Sequence, residues 1–591
     1  MEYFLHIGIL ICIFLILSIS YNLIMGYARL FSLAHGAMFG VGAYASALFA
    51  VGTKAGILYS MLVAACVTAA MGAVIGFPAL RVKSYYLAVL SLGFQQVVNG
   101  LMVNLLDFTG GESGMGGIPR PKIFGGLIQS KWEYFLFMFI IVVLFFVLAK
   151  RLTTSPFGRV IKALRDDEEA VRAIGKNVLY FKVAIFMFSG AMAGIAGSLY
   201  AHYVTFINPT SFTFIESVFI ISMVVFGGTG NLWGSVVGAV ILVTVPELTR
   251  FIRGFSEGIV GPLRVVLYGA MLIIMIRFRP QGIIPEYSKS QTTRNDKDFG
   301  MKTRERHAAE GLNFLSHSKI FDENQGDSTK GKEIILSATK LSKHFGGIQA
   351  VQDLNMQIER GKITALIGPN GAGKTTFFNL VTGVISPDSG EIRYKDKNVM
   401  GLRPHQTTQF GFSRTFQEVR LFPRMTVSDT VMVARPKQKG ENIFLACIPS
   451  SRQEKINRDY SMQILDFVGL IHRRNELAEN LSYAEQKLLS LARLLATNTE
   501  LLLLDEPTSG LDHNSMETIL GLIKSLPQFG KTVCIVEHNL DVIREVSDWV
   551  YFLAEGHVIK EGTPDAIFSD PKLAEIYFGG GSAFWDWNYK V

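Results

Sequence analysis

Over the first 285 positions, apolar residues come in long unbroken runs, not in the alternating patterns of soluble helices and strands. A helix needs about 20 apolar residues to cross a bilayer core. The first run of that length is Phe4 to Met25. It is too long for the apolar stretch of a signal peptide and lacks a small-residue cleavage site, so it reads as a permanent span. Further runs lie near 30–52, 56–77, 85–105, 133–149, 183–203, 214–228, 232–248 and 262–278. Together they predict about nine spans, with the short run 214–228 also fitting a re-entrant segment. The polar interval 150–182 carries eight cations and four acids. It fits an amphipathic helix over 157–173, with Val160, Ala163, Leu164 and Val171 on one side, and reads as a helix that docks on a partner. Residues 286–332 are polar with few apolar anchors and predict a linker. Beyond 333 the pattern changes to short buried-strand runs (Ile363–Ile367, Leu501–Leu504, Val533–Val536) between helical patterns, as in an α/β domain.

Charge sharpens the division. Residues 1–285 hold 20 basic and 11 acidic side chains, and residues 286–591 hold 37 basic and 38 acidic. The basic excess belongs to the apolar half, so it is not a nucleic-acid footprint. Arg29, Arg81 with Lys83, the Lys150–Lys182 segment, and Arg277 with Arg279 are expected on the cytoplasmic side. Counting spans between them puts the N-terminus outside and residue 280 onward inside. Cys12, Cys66, Cys447 and Cys534 form no C-x-x-C pair, which argues against a disulfide framework or zinc site. Gly36, Gly40 and Gly42, and Gly190, Gly194 and Gly197, suit close helix packing. His35, Asn99, Glu216 and Glu247 are intramembrane polar groups that either line a solute path or serve helix contacts.

The chemistry sits in the second half. Gly368-Pro-Asn-Gly-Ala-Gly-Lys-Thr375 follows the strand Ile363–Ile367 and precedes a helical pattern from Thr376. This is G-x-x-x-x-G-K-[ST] in a strand–loop–helix setting. Gly368, Gly371 and Gly373 let backbone N–H groups converge on phosphate oxygens, and the helix N-terminus adds partial positive charge. Asn370 and Thr376 belong to the same phosphate-binding segment. Lys374 reaches the β- and γ-phosphates, and the Thr375 hydroxyl ligates Mg²⁺. The run Leu501–Leu504 ends in Asp505-Glu506-Pro507. Asp505 suits the Mg²⁺ shell, and Glu506 is placed to polarise the attacking water as general base. Leu481-Ser482-Tyr483-Ala484-Glu485-Gln486 opens a helix through Ala496 with Ser482 as its N-cap. The strand Val533–Val536 ends at Glu537-His538, and a histidine there reads as a γ-phosphate sensor.

The phosphate loop, LSYAEQ, LLLLDEP, SGLD at 509–512 and EHN at 537–539 stand in the order found in the nucleotide-binding domain of ATP-binding-cassette (ABC) transporters, which about 335–579 resembles. The resemblance implies that Phe345 stacks on adenine and that Gln417, in RTFQEVRLFP, is a switch-loop glutamine linking the metal to the membrane partner. It implies that His538 is the switch histidine and that Ser482, Tyr483, Ala484, Glu485 and Asp512 contact nucleotide. KHFGGIQAVQDL and EGTPDAIFSDPKLAEIYFG are similar to the cassettes of bacterial branched-chain amino-acid importers. GYARLFSLAHGAMFGVGAYASA, TGGESGMGGIP, SPFGRVIKALRDDEEAVRAIG and LYGAMLIIMIRFRPQGI resemble the permeases of the same system.

The fold class expected is a multi-span α-helical membrane domain fused to an α/β P-loop ABC nucleotide-binding domain. The permease occupies 1–285 with a coupling segment at 155–182, a linker spans 286–332, and the cassette spans 333–591. The resemblance implies ATP and Mg²⁺, a second permease subunit, a second cassette (a paralogue or the chain's own copy), an external solute-binding protein, surrounding membrane lipid, and no nucleic acid. It places the chain in a bacterial cytoplasmic membrane with its ATPase domain in the cytoplasm. Branched-chain amino acids are the expected solute, with urea or short amides, or an exporter, as alternatives. Two residues depart from the family pattern: Ala484 stands where glycine is usual, and SGLD is nearer the general cassette form. The composite site completed by this signature is therefore expected to be slower than its counterpart.

Overall fold

The computed structural model describes residues 2–78, 84–123, 126–128, 130–249, 266, 269–275, 277–286, 333–448 and 451–578. Arg81, Lys83, residues 262–265, 267, 268 and 276 of the span expected over 262–278 and nearly all of the 286–332 linker lie outside them. The chain forms two compact units, Met1–Arg165 with Val178–Thr292 and Lys439–Pro449, and Asp166–Asn177 with Thr293–Gln438 and Ser450–Val591.

The first unit is helical: α1 (Glu2–Asn22), α2 (His35–Thr53), α3 (Ile57–Gly76), α4 (Ser84–Asn104), α5 (Lys131–Thr154), α6 (Pro156–Asp166), then after the short α7 (Glu168–Ala173) of the second unit, α8 (Val178–Val204), α9 (Phe214–Gly227) and α10 (Leu232–Thr249). Among the described residues, seven helices are long and apolar enough to cross a membrane, and Leu232–Val245 is a shorter apolar helix. α1 runs into a π-helical turn, Leu23–Tyr27, and is the most enclosed of the seven. Small residues let α2, α3 and α8 touch backbone to backbone. A Cβ on Gly42 would lie 2.3 Å from the Cα of Gly194, and one on Gly194 would lie 2.1 Å from the Thr68 hydroxyl. Several buried polar groups are paired inside. His35 Nε2 meets Ser20 Oγ at 2.8 Å, and Gln95 accepts from Ala37 N at 2.6 Å while donating to Phe212 O at 2.9 Å. Glu216 lies in the first turn of α9. Glu247 falls on α10, and its side chain is outside the described residues. The buried Asn99 Oδ1 accepts no hydrogen bond among them.

The single helix expected over 157–173 is instead two. Asp167 leaves helical geometry at φ −151° and caps α7 by accepting from Ala170 N at 2.8 Å. Val160, Ala163 and Leu164 are buried on α6 and Val171 on α7, so the four do not share one helix face. A short polar side chain competing for backbone N–H groups is the physical reason for the break.

The second unit contains two sheets. β1 (Ile334–Phe345), β2 (Ile348–Glu359), β3 (Ile363–Ile367), β4 (Ser389–Tyr394), β5 (Lys397–Asn398), β6 (Phe412–Arg414), β7 (Leu501–Asp505), β8 (Thr532–Val536), β9 (Trp549–Ala554) and β10 (His557–Gly562) follow in chain order. The four-stranded antiparallel sheet runs β2-β1-β4-β5, and the six-stranded sheet runs β10-β9-β3-β8-β7-β6. β3, β7 and β8 are buried at every position, as parallel strands covered on both faces are, and their residues are mostly apolar.

Candidate functional site

In a parallel sheet, ligands bind beyond the carboxyl ends of the strands. Here β3, β8 and β7 are neighbours, and Val536 lies opposite Leu366 on one side and Asp505 on the other. The next residues along each strand are the phosphate loop, Glu537-His538 and Glu506. Three segments far apart in sequence thus share one edge.

The loop after β3 requires glycine. Gly373 has φ +99°, and a Cβ there would lie 2.4 Å from Ala350 O, while one on Gly368 would lie 2.0 Å from Leu553 O. The helix α11 (Lys374–Val381) starts at the lysine, two residues before the expected Thr376, and α12 (Val427–Ala434) follows later in the chain. The buried Lys374 Nζ donates to Gly368 O at 2.7 Å and Pro369 O at 2.9 Å, so the loop's own carbonyls hold the ammonium. Burial lowers its pKa, with Glu506 and Asp505 opposing the shift. Asn370 and Thr375 are exposed, and Thr376 is half-buried.

Asp505 is buried, and its N–H donates to Thr415 Oγ1 at 2.9 Å. Burial pushes its carboxyl up to about 6 against the pull of Arg414, Lys374 and Lys487, with Glu506 adding to the rise. Asp505 Oδ1 accepts no hydrogen bond among the described residues. A buried anionic oxygen without a donor, beside a threonine-bearing phosphate loop, fits a hard divalent cation such as Mg²⁺. Glu506 has φ +45°, a region that non-glycine residues seldom enter, and its Oε1 lies 2.9 Å from His538 Nε2. Its N–H is tied to Val536 O at 2.9 Å and its carbonyl to Lys487 Nζ at 2.9 Å. The tight backbone restraint aims the carboxylate at the histidine. The structure therefore brings together Lys374, Asp505, Glu506 and His538.

Other expected site residues stand apart from this group. Ser482 caps α13 (Tyr483–Ala496) in a full capping box with Glu485, and Arg473 pairs with Glu485 at 3.3 Å. Tyr483 is exposed and Ala484 half-buried. No hydrogen bond or ion pair among the described residues joins 482–485 to 368–376. Phe345 ends β1 with its ring exposed, and Lys343 Nζ lies 5.6 Å from the ring centre. Gln417 is exposed, two residues beyond the Thr415 that holds Asp505. Asp512 caps α14 (His513–Ser525), accepting from Ser515 N at 3.2 Å.

Residues 166–177 pack in the second unit against 404–435. Arg420 Nη1 pairs with Glu169 at 2.5 Å and Asp167 at 3.4 Å, and Arg424 N donates to Asp166 at 3.1 Å. Thr408 Oγ1 donates to Ala173 O at 2.9 Å, and Lys176 Nζ to Arg435 O at 2.6 Å. Arg420 lies in the same RTFQEVRLFP stretch as Gln417.

Sequence reasoning missed Thr415, Lys487 and Thr508. Thr508 N and Oγ1 donate to Glu537 Oε1 at 2.9 and 2.7 Å, although burial raises the Glu537 carboxyl. Lys487, one turn into α13, carried a signal as a lysine on a helix whose neighbours at that face are apolar. Thr415 and Thr508 carried none, because their partners are remote in sequence.

Residues 3–276 match the family described as branched-chain amino acid transport system / permease component, and residues 351–509 match the ABC transporter family. The chain is 36% identical over 246 residues to the probable branched-chain amino acid transport ATP-binding protein LivG of Archaeoglobus fulgidus, covering 42% of this chain and 95% of that protein. It is 36% identical over 249 residues to the high-affinity LivG of Escherichia coli, covering 42% of this chain and 98% of that one. It is 34% identical over 296 residues to the high-affinity branched-chain amino acid transport system permease protein LivM of Salmonella typhimurium, covering 46% of this chain and 68% of that one.

Proposed function

Because this chain belongs to the branched-chain amino-acid family of ABC transporters, with permease and ATP-hydrolysing cassette in one polypeptide, we propose that it imports branched-chain amino acids across a bacterial cytoplasmic membrane. The observation that carries this reading is the convergence of Lys374, Asp505, Glu506 and His538 at the ends of three adjacent strands, in a chain whose described residues include seven helices fit to cross a bilayer.

The geometry and the resemblance support the following residue roles. The loop 368–376 offers backbone N–H groups and the Lys374 ammonium to a triphosphate. On meeting phosphate, Lys374 exchanges two carbonyl partners for anionic oxygens, a stronger pairing in a desolvated site. Thr375, Asp505 and Gln417 would hold Mg²⁺, which supplies neutralisation of phosphate charge when bound. Glu506 accepts a proton from the attacking water, and His538, hydrogen-bonded to Glu506, orients that carboxylate and contacts the γ-phosphate. Phe345 offers its exposed ring to adenine.

The segment 482–485, with Asp512, is presented outward and completes the site of another cassette. One chain has one phosphate loop and one signature, so two cassettes are required. A second permease subunit completes the path, and an external solute-binding protein delivers solute. Binding of ATP can shift the membrane unit only through a difference in affinity between the open and closed cassette pair. The helices 156–166 and 168–173 carry that shift, with Arg420 as the cassette-side contact.

The test is uptake of labelled leucine and labelled urea by cells with and without the gene, its neighbouring genes intact. Leucine uptake that depends on the gene supports the reading. Urea uptake with no leucine uptake overturns the solute assignment, and gene-dependent efflux overturns the direction.

A further inference from the structure

The ATP site leaves unexplained a buried ion pair in the first unit. Arg165 Nη1 lies 2.7 Å from Glu286 Oε2, with side-chain exposures of only 3% and 14%. The same Nη1 donates to Gly26 O at 3.3 Å. Gly26 belongs to the π-helical turn Leu23–Tyr27 that ends α1. Three parts of the chain meet here: the end of α6, the end of the first span, and the segment after the last expected span.

The surroundings are built around this pair. A Cβ on Gly26 would lie 2.3 Å from Gly230 N, and one on Gly230 would lie 2.9 Å from Glu286 Oε2. Asn22 Oδ1 accepts from Gly230 N at 2.9 Å, and Ile284 N donates to Gly227 O at 2.9 Å. Glu286 Oε2 thus lies between the Gly230 backbone and the Arg165 guanidinium, while its buried Oε1 accepts no hydrogen bond among the described residues. A π-helical turn is an irregularity that recurs at functional positions. A desolvated ion pair adds little net stability compared with apolar residues of the same size, so its presence asks for another explanation.

Position supplies one. Arg165 is the penultimate residue of α6, and Asp166 opens the segment that groups with the second unit. Glu286 is the first residue of the expected linker. We propose that the Arg165–Glu286 pair is a positioning device for transport: it fastens the end of α6 to the first span and to the chain leaving the last, so that displacement of α6 moves the spans instead of being lost in local bending. Neither residue belongs to the expected nucleotide site. The inference rests on the reading of 155–182 as the coupling segment.

The experiment uses the full chain with its partner subunits in proteoliposomes, measuring ATP hydrolysis and leucine uptake together. Arg165→Met and Glu286→Gln are expected to keep hydrolysis within about twofold while uptake falls at least tenfold. The reversed pair, Arg165→Glu with Glu286→Arg, is expected to regain at least a third of the uptake. A merely structural role predicts loss of both activities in proportion and no uncoupling. Uptake within twofold of the parent in both single variants overturns the proposal, as does a reversed pair that inserts normally yet transports no better than the singles. Should the reversed pair fail to insert, Glu286→Gln, which keeps shape and hydrogen bonding, decides alone: a tenfold loss of uptake per ATP supports the latch and unchanged uptake overturns it. Arg420→Ala separates the two readings. If it uncouples while the Arg165 and Glu286 variants do not, the latch fails and the coupling segment stands; if Arg420→Ala leaves coupling intact, the segment's assignment fails.

Discussion

Glu506 occupies a backbone geometry that costs free energy for a side-chain-bearing residue, and three contacts hold it there: Val536 O, Lys487 Nζ and His538 Nε2. Glu506→Gln keeps the shape and removes the proton acceptor. Nucleotide binding should persist while steady-state hydrolysis falls by roughly 10²- to 10⁴-fold; turnover near the parent rate would remove Glu506 from the role of base. Lys531 gives a pH-dependent prediction. Its ammonium donates to Thr499 O at 2.9 Å, and burial holds its pKa down to about 8, with Glu500 opposing. Between about pH 8 and the ordinary lysine value near 10.4, the unfolded chain binds the extra proton, so stability of this unit rises with pH. The contribution is complete above the unfolded value and lost as pH falls through about 8. It amounts to no more than about 3 kcal/mol. Lys531→Met should flatten the pH dependence of the cassette's melting temperature over that window, and an unchanged slope would count against the assignment.

Helix ends and helix faces decide the next scale. α13 begins with a full capping box between Ser482 and Glu485. Ser482→Ala should cost about 1 kcal/mol, seen as a lower cassette melting temperature. Ala484 adds a methyl in the first turn of this helix, where the resemblance places a partner's γ-phosphate. Ala484→Gly should raise the hydrolysis rate of the assembled transporter, and an unaltered rate would show that the methyl is accommodated. In the membrane unit, Gly42 faces Gly194 with no room for a side chain, whereas nothing lies within 4 Å of a Cβ on Gly93. Gly42→Val should lower the yield of monodisperse protein in detergent, and Gly93→Ala should not. Equal tolerance would mean that α2 and α8 are not packed through these glycines.

At the scale of the whole molecule, no hydrogen bond or ion pair among the described residues joins the signature residues to the phosphate loop of their own chain. Hydrolysis per chain should therefore fall on dilution in detergent, as the cassette pair dissociates, and recover on reconstitution with the partner subunits. A rate independent of concentration in a monomeric preparation would contradict a shared site. Contacts also divide the chain differently from its hydrophobic pattern. Residues 166–177, read from sequence as part of a permease loop, group with the cassette, while 439–449, inside the cassette sequence, group with the helices.

Local chemistry is what the amino-acid order fixed on its own. Glycine spacing, the lysine and the acidic pair each need only neighbouring residues to be recognised, and the runs Ile363–Ile367 and Leu501–Leu504 are almost wholly apolar because they are buried on both faces. Long apolar runs likewise report the solvent around them. Contacts between distant segments were settled only by folding. The Lys487 restraint on Glu506, the Thr415 restraint on Asp505 and the Arg165–Glu286 pair join residues 19, 90 and 121 positions apart. A hydrogen bond or ion pair depends on position in space, and one residue's identity does not reveal which remote partner the sheet order or helix packing will bring within 3 Å.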